Sequence, residues 1–277
     1  AAVPTTNLAR PVWGRSHFIA YGQSLSNANE GTPPISTAAV AGTYMYGDHV
    51  RPTTNNSATA TWDRVGSSAF NALTTTGDAE VPIAGAMRFL RRLWLDWRGV
   101  AADSSIGFVA STAGIGGQAI AALSKGASPE IYARVTSCIS QALAQATSDG
   151  QSYGVAGILW LQGEANQSTD TATYKAALLQ LVDDLCTDVV AGTGQARPPG
   201  FFTYQTSANP NNDTNNGGTV QAQLELALED PRVTMIGPIY QVPDSAGLHL
   251  VANPYRWVGG YFAKAMQGAI YFMKKDF

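Results

Sequence analysis

The chain has 277 residues and a net charge of −3, with 45% hydrophobic and only 13% charged residues. This composition supplies a large core and excludes an intrinsically disordered chain. The sequence has neither a basic field that could neutralise phosphates nor an apolar run long enough to cross a bilayer, so we expect no nucleic-acid partner and no membrane partner. Since the composition does not shift sharply along the chain, we expect residues 1–277 to form a single domain.

The beginning of the chain and its cysteines bear on its location. The sequence starts with "AAVPTT", without methionine, which is compatible with a removed signal peptide or with a trimmed chain. We expect a secreted or periplasmic protein. Cys138 and Cys186 fall within helical patterns, where buried free thiols are the usual outcome, although a disulfide between neighbouring helices stays open.

Short, nearly continuous apolar runs predict strands that are covered on both faces. In chain order, these runs lie at 16–22, 105–112, 155–161, 200–205 and 232–237. Amphipathic segments that predict helices alternate with them, at about 81–98, 129–148, 171–191, 217–229 and 254–272. The alternation predicts an α/β fold of three layers, with a mainly parallel five-stranded sheet between two layers of helices. We expect Arg88, Arg91 and Arg92 on the solvated side of the first helix.

Two polar stretches interrupt this alternation. Residues 28–80, which include "GTPPIST" and "RPTTNNSATATW", show little periodicity, and a loop of this length in a compact domain is usually functional or mobile. Because the stretch directly follows Ser24, we expect it to form one wall of a site. The Asn-rich stretch 207–218 predicts either a second polar loop or a surface turn.

The segments that follow the predicted strands carry the candidate chemistry, because ligands of open parallel sheets bind beyond the carboxyl ends of the strands. The first strand runs into "GQS", where Ser24 is either presented to solvent or serves as a helix cap. The second runs into "AGIGGQ", whose Gly116 and Gly117 leave backbone amides unshielded. Such amides suit a developing oxyanion, or simply a tight turn.

Two further segments add polar side chains to the same edge. The third strand runs into "LQGEANQ", where Gln162 can donate two N–H bonds and Glu164 can accept them. The alternative is that both side chains only stabilise a capped loop. After the last strand, Asp244 and His249 put a carboxylate and an imidazole on the edge that carries Ser24. We expect His17 to be structural and His49 to lie at the surface.

Taken in chain order, these motifs are similar to those of a known superfamily. Ser24 in "GQS", the glycines of "GIGGQ", Gln162 in "WLQGE" and His249 in "GLHL" resemble the SGNH hydrolases, and more narrowly their carbohydrate O-acetylesterase branch, which includes sialate O-acetylesterase-like proteins. The resemblance extends from residue 16 to about residue 262. It implies a flavodoxin-like sheet and a serine esterase that removes O-acetyl groups from a carbohydrate through an acyl-enzyme, with no metal and no cofactor.

The resemblance also implies roles for individual residues. Ser24 would be the nucleophile and His249 its general base. The backbone N–H groups of Ser24 and Gly117 and the side-chain N–H of Gln162 would form the oxyanion hole, with Gly116 as a competitor for the glycine role and Glu164 as a supporting residue. The family usually places its acid three residues before the histidine, where this chain has Ala246. We predict that Asp244, rather than Glu164, orients His249.

Residues outside these motifs are candidates for sugar contacts. Amide side chains can hydrogen-bond sugar hydroxyls and aromatic rings can stack on pyranose faces, which makes candidates of Asn27, Asn29, Asn166, Tyr21, Trp62 and Trp257. The aromatic residues can equally belong to the core, and for Trp257 the core is the preferred interpretation. Two other functions stay open: a lipase or thioesterase for longer acyl esters, and a non-catalytic carbohydrate-binding or structural module.

Overall fold

A computed structural model describes residues 7–271 except residue 56, residues 207–216 and residues 246–247. Its strands are β1 (Arg15–Gly22), β2 (Thr43–Tyr46), β3 (Phe70–Ala72), β4 (Phe108–Thr112), β5 (Tyr153–Leu161), β6 (Gly200–Gln205) and β7 (Val233–Pro238). Its helices are α1 (Pro82–Arg98), α2 (Ile120–Leu123), α3 (Ala133–Ser148), α4 (Thr171–Thr193), α5 (Gly218–Glu229) and α6 (Ala252–Met266). The Asn-rich stretch predicted to be polar lies almost entirely outside the described residues.

The strands form one sheet in the order β3-β2-β4-β1-β5-β6-β7, in which only the β2–β3 pair is antiparallel. The predicted α/β fold with a mainly parallel sheet is therefore confirmed, but the predicted number of five strands is wrong. The two additional strands, β2 and β3, lie in the 28–80 stretch that the sequence predicted to be a loop. They have only four and three residues, which is too short for a recognisable apolar pattern, and β2 is ordered by pairing with β4.

Helices cover both faces of the sheet. Helices α1 and α6 pack together on one face, while α3, α4 and α5 form the layer on the other. Every residue of β4 and β5 is buried, which explains why the central strands appear in the sequence as continuous apolar runs rather than alternating ones. No helix among the described residues is long and apolar enough to span a membrane.

Two buried arginines fix the long connection between β1 and α1. Arg91 of α1 donates to the carbonyl oxygens of Ala41 and Ile106, at 3.1 Å each, so the prediction that it lies on a solvated side is wrong. Arg134 of α3 donates to the carbonyl oxygens of Ala113 at 2.9 Å and Thr61 at 2.8 Å. Backbone carbonyls that lack a partner in the sheet thus accept hydrogen bonds from side chains of the helices.

Both cysteines and one histidine have structural roles. Cys138 and Cys186 are buried free thiols, as predicted. His17 is fully buried between the hydroxyl groups of Tyr153, at 2.7 Å from Nδ1, and Ser111, at 3.0 Å from Nε2. Burial lowers the pKa of His17 to about 3, so this ring stays neutral inside the core.

Candidate active site

The carboxyl ends of the parallel strands bring the candidate residues to one edge of the sheet. Ser24 follows β1, Gly116 and Gly117 follow β4, Glu164 follows β5, and His249 lies between β7 and α6. All five line a cavity of about 340 Å³, together with Gln23, Asn29, Ala165, Gln167 and Leu248. The cavity therefore lies at the edge where open parallel sheets bind their ligands.

Ser24 and His249 form a hydrogen bond in this cavity. The Oγ atom of Ser24 lies 2.8 Å from Nε2 of His249, which is the distance required for a base that removes the hydroxyl proton. The chain can turn sharply before Ser24 because Gly22 has a φ of +141°, and a Cβ atom there would lie 2.1 Å from the carbonyl oxygen of Leu161. Close approach of β1 to β5 thus requires glycine at this position.

The other ring nitrogen of His249 faces Glu30, not the predicted Asp244. The Oε1 atom of Glu30 lies 3.2 Å from Nδ1 of His249. The turn that follows Ser24 brings Glu30 to this point, because Ala28 and Glu30 have φ angles of 54° and 68°, in the left-handed region that reverses the chain. Asp244 instead forms a β-bridge with Leu250 beside the histidine. The structure thus corrects the prediction of Asp244 as the orienting carboxylate.

Ser245 holds the Glu30 carboxylate in place. The Ser245 hydroxyl donates to Oε2 of Glu30, and the Ser245 amide donates to the carbonyl oxygen of His249 at 2.6 Å. The hydrogen bonds from Ser245 and then His249 keep the pKa of the Glu30 carboxyl below its usual value. Glu30 is therefore ionised at neutral pH, which favours the Nδ1–H tautomer of His249 and leaves Nε2 able to accept a proton.

The two glycines that follow β4 lie beside Ser24. A Cβ atom on Gly116 would lie 3.6 Å from Cβ of Ser24 and 3.4 Å from Nδ2 of Asn29. Gly117 has a φ of +72°, and nothing lies within 4 Å of the position that its Cβ would take. Both glycines line the cavity, so both stay candidates for the backbone donor of an oxyanion hole, and the predicted preference for Gly117 stays a prediction.

Gln162, which was predicted to donate to the oxyanion, instead belongs to a buried hydrogen-bond network. Its Nε2 atom donates to Oδ1 of Asn166 at 2.6 Å and to the carbonyl oxygen of Gln118 at 3.2 Å, and its Oε1 accepts from the Tyr174 hydroxyl at 2.7 Å. An amide nitrogen has only two protons, and both are used. The residue is fully buried and does not line the cavity, so this prediction is corrected.

Glu164 lines the cavity but does not contact the ring nitrogens of His249. The Tyr204 hydroxyl lies 2.8 Å from its Oε1 and 2.7 Å from its Oε2. Burial raises the pKa of the Glu164 carboxyl. Its predicted supporting role agrees with these contacts, because they hold the segment after β5 against β6.

Three residues predicted to contact sugar belong to the interior. Asn27 is fully buried and donates to the carbonyl oxygen of Gly114 at 2.8 Å. The Asn166 side chain accepts from the Ile120 amide at 2.8 Å and from Gln162. Trp62 is 1% exposed and donates to the carbonyl oxygen of Thr112 at 2.7 Å. These polar groups join loops of the active-site edge, so none of the three side chains is available to a ligand.

Other predicted contacts have mixed outcomes. Asn29 does line the cavity. Tyr21 is fully buried, and its hydroxyl donates to the carbonyl oxygen of Leu123 at 2.7 Å. Trp257, for which the core was preferred, is 52% exposed on α6. Helical periodicity identified the helix but not the face on which this residue lies.

The structure also identifies residues that the sequence reasoning passed over. Glu30 lies six positions after Ser24 in "SLSNANE". The sequence shows this carboxylate near Ser24, but nothing in it indicates contact with a histidine 219 residues away. Gln23 and Gln167 also line the cavity, although the motifs predicted no role for either residue. Among the described residues, no group of three or more His, Cys, Asp or Glu side chains could hold a metal ion.

Known structures share this fold. A protein from Arabidopsis thaliana superposes with a TM-score of 0.64 at 15% identity, over 93% of this chain and 99% of that one. NanS gives a TM-score of 0.62 at 14% identity, over 94% and 98% of the two chains. XAC1771, a carbohydrate acetylesterase from Xanthomonas citri, gives 0.56 at 18% identity, over 92% of this chain and 57% of that one.

Sequence comparison gives the family. The chain has no match among curated protein sequences. The family model "Carbohydrate esterase, sialic acid-specific acetylesterase" matches residues 18–268, which include the end of β1, the glycine turn after β4 and the histidine before α6. The predicted superfamily and ester-hydrolase activity are thereby confirmed. The chain belongs to the carbohydrate esterase family of sialic acid-specific acetylesterases and is a carboxylic ester hydrolase.

Proposed function

We propose that the protein hydrolyses O-acetyl esters of a carbohydrate through an acyl-enzyme on Ser24. The observation that carries the proposal is the continuous pair of contacts from Oγ of Ser24 to Nε2 of His249, at 2.8 Å, and from Nδ1 of His249 to Oε1 of Glu30, at 3.2 Å. A hydroxyl, an imidazole and a carboxylate in this order form the arrangement that activates a serine for acyl transfer.

The chemistry follows from these contacts in two steps. Ser24 Oγ attacks the ester carbonyl while His249 Nε2 takes the hydroxyl proton, and Glu30 stabilises the imidazolium that forms. Collapse of the tetrahedral intermediate breaks the bond to the sugar oxygen, which leaves with the proton from His249. Water then attacks the acetyl-serine, again with His249 as the base, and releases acetate and free Ser24.

The cavity supports a short acyl group rather than a long one. Its volume is about 340 Å³, and polar side chains from Gln23, Asn29, Glu164 and Gln167 line it. A long aliphatic chain would lie against these polar groups without offering them the hydrogen bonds that sugar hydroxyls can make. Together with the acetylesterase family model, these polar groups support an acetylesterase over a lipase or thioesterase, and we expect p-nitrophenyl acetate to be hydrolysed faster than p-nitrophenyl octanoate.

The test is acetate release from a panel of O-acetylated sugars that includes O-acetylated sialic acids. Wild type is expected to release acetate, while Ser24→Ala is expected to retain the fold and lose the activity. A fluorophosphonate is expected to label wild type at Ser24 alone. Equal acetate release by Ser24→Ala, or labelling at another serine, would exclude the proposed mechanism. Binding of the sugars without hydrolysis would support a non-catalytic module instead.

A further inference from the structure

We infer that the side-chain amide of Gln23 donates a hydrogen bond to the oxyanion, the role that sequence reasoning gave to Gln162. This assignment rests on the proposed function, because an oxyanion forms only if Ser24 attacks an ester. It makes Gln23 a catalytic residue that lies next to the nucleophile in the chain.

The first argument is that the segment after β5 provides no donor that is fixed toward Ser24. Both N–H bonds of the Gln162 amide are used by Gln118 and Asn166. The two carboxyl oxygens of Glu164 lie 2.8 and 2.7 Å from the Tyr204 hydroxyl, which holds them against β6. Gln167 lines the cavity, but its side chain makes no hydrogen bond to any described residue, so nothing directs its amide. A side-chain donor that is already held in position beside Ser24 must therefore come from another part of the chain.

The second argument is that Gln23 is fixed in the required place. It is 2% exposed, lines the cavity, and its Oε1 atom accepts from the amides of Ala165 at 3.0 Å and Gly163 at 3.4 Å. Two hydrogen bonds to one oxygen define the plane of the amide and hence the direction of Nε2. That nitrogen has no hydrogen-bond partner among the described residues.

Because Gln23 lines the cavity, its Nε2 atom can donate to an acceptor that a ligand supplies. In this cavity, the acceptor that appears during the reaction is the carbonyl oxygen of the ester, which gains a full negative charge in the tetrahedral intermediate. A donor already held in position stabilises that charge without reorganisation. Gln23 thus fits an interaction made mainly in the transition state.

Asn29 is the rival donor, since its Nδ2 atom lies on the Gly116 side of the cavity. Its side chain makes no hydrogen bond to any described residue, so nothing directs the amide toward Ser24, and it is only partly buried. An unanchored amide must be ordered when substrate binds, which reduces its value as a transition-state donor. Gln23 is favoured because its orientation is already determined.

The test is Gln23→Glu, compared with Asn29→Asp, wild type and Ser24→Ala. A glutamate at position 23 keeps the oxygen that accepts from Gly163 and Ala165 and replaces only the donor. We expect kcat for p-nitrophenyl acetate to fall by about 10²–10³ with a smaller change in KM. The rate of Ser24 labelling by a fluorophosphonate, whose P=O oxygen occupies the oxyanion position, is expected to fall in parallel. Gln23→Met, which also lacks the donor but carries no charge, is expected to show the same loss.

Each other outcome contradicts the assignment. If Gln23→Glu and Gln23→Met keep wild-type kcat, Gln23 does not bind the oxyanion. If Asn29→Asp loses kcat and the Gln23 variants do not, Asn29 is the donor. A loss in Gln23→Glu alone would reflect its added charge. If wild type itself is neither labelled at Ser24 nor able to hydrolyse the ester, the proposed function fails and the role of Gln23 fails with it. If wild type hydrolyses p-nitrophenyl acetate but no acetylated sugar, only the proposed carbohydrate substrate is overturned.

Discussion

Glu30 and His249 lie 219 residues apart in the chain, yet Oε1 of the glutamate is 3.2 Å from Nδ1 of the imidazole. The proposed nucleophile and the carboxylate thus come from one short turn after β1, and the proposed base comes from the far end of the chain. The Glu30 side chain is 53% exposed, unlike the buried aspartate of the best-known serine hydrolases. Solvent therefore screens its charge, and its main effect is to orient the ring.

Glu30→Gln is expected to lower kcat by about 10–10³-fold, less than the loss of about 10⁴ seen when a buried triad aspartate is replaced. The variant keeps the shape and the backbone of the turn but loses the charge that selects the Nδ1–H tautomer. Steady-state kinetics on p-nitrophenyl acetate measure the effect. Asp244→Asn is the matched control and is expected to stay near wild type. The opposite ranking would restore Asp244 as the orienting residue.

Ser245→Ala is expected to lower kcat by about 10-fold, since it removes a hydrogen bond to a charged group while leaving Glu30 in contact with His249. Because Ser245 acts only through Glu30, its effect should be much smaller in the Glu30→Gln background. A double-mutant cycle in kcat measures this coupling. Additive losses would show that Ser245 acts on the loop rather than on the carboxylate.

Gln162→Leu is expected to destabilise the protein by about 2–4 kcal/mol, because the buried groups of Asn166, Tyr174 and Gln118 would lose a partner. Urea unfolding measures the loss. The folded fraction, assayed at low temperature, should retain more activity than Gln23→Glu does. An unchanged unfolding free energy together with a kcat lower by about 10²–10³ would return Gln162 to the oxyanion hole.

Glu164→Gln is expected to change how stability depends on pH. Since the pKa of the Glu164 carboxyl is raised in the folded protein, the folded state keeps this proton at pH values where the unfolded state has lost it. The stability due to this group is complete below the ordinary carboxyl pKa and declines as pH rises toward the raised value. Glutamine cannot titrate, so the unfolding free energy of the variant relative to wild type should rise as the pH increases above the ordinary carboxyl pKa. A difference that does not change with pH would contradict the raised pKa.

Sequence reasoning predicted the parts of this protein that depend on local pattern. Strands β1 and β4–β7 appeared as apolar runs, although only the first residue of the edge strand β7 is buried. Because the ends of parallel strands meet at one edge, Ser24 and His249 could be placed together. Strands β2 and β3 could not be predicted, because their own residues form no clear pattern: pairing with β4 orders β2, and pairing with β2 orders β3. The single-domain organisation and the location outside the cytoplasm stay predictions.

The errors in the site have a common physical reason. Gln162 and Asn166 satisfy each other's hydrogen bonds, and Trp62 stacks on Tyr46 with ring planes 10° apart, so these groups turn inward. Which polar groups pair with each other depends on side-chain positions in three dimensions, and residue type and spacing carry no such information. The same limit concealed Glu30, whose partner comes from the other end of the sequence.

The arrangement of Ser24, His249 and Glu30 makes two interactions depend on one ring. Among the described residues, His249 bridges Ser24 and Glu30 through its two nitrogens. Displacement of this ring would break both hydrogen bonds together, whereas loss of Glu30 would leave the contact between His249 and Ser24 possible. Activation of the serine and orientation of its base therefore both depend on the position of a single imidazole.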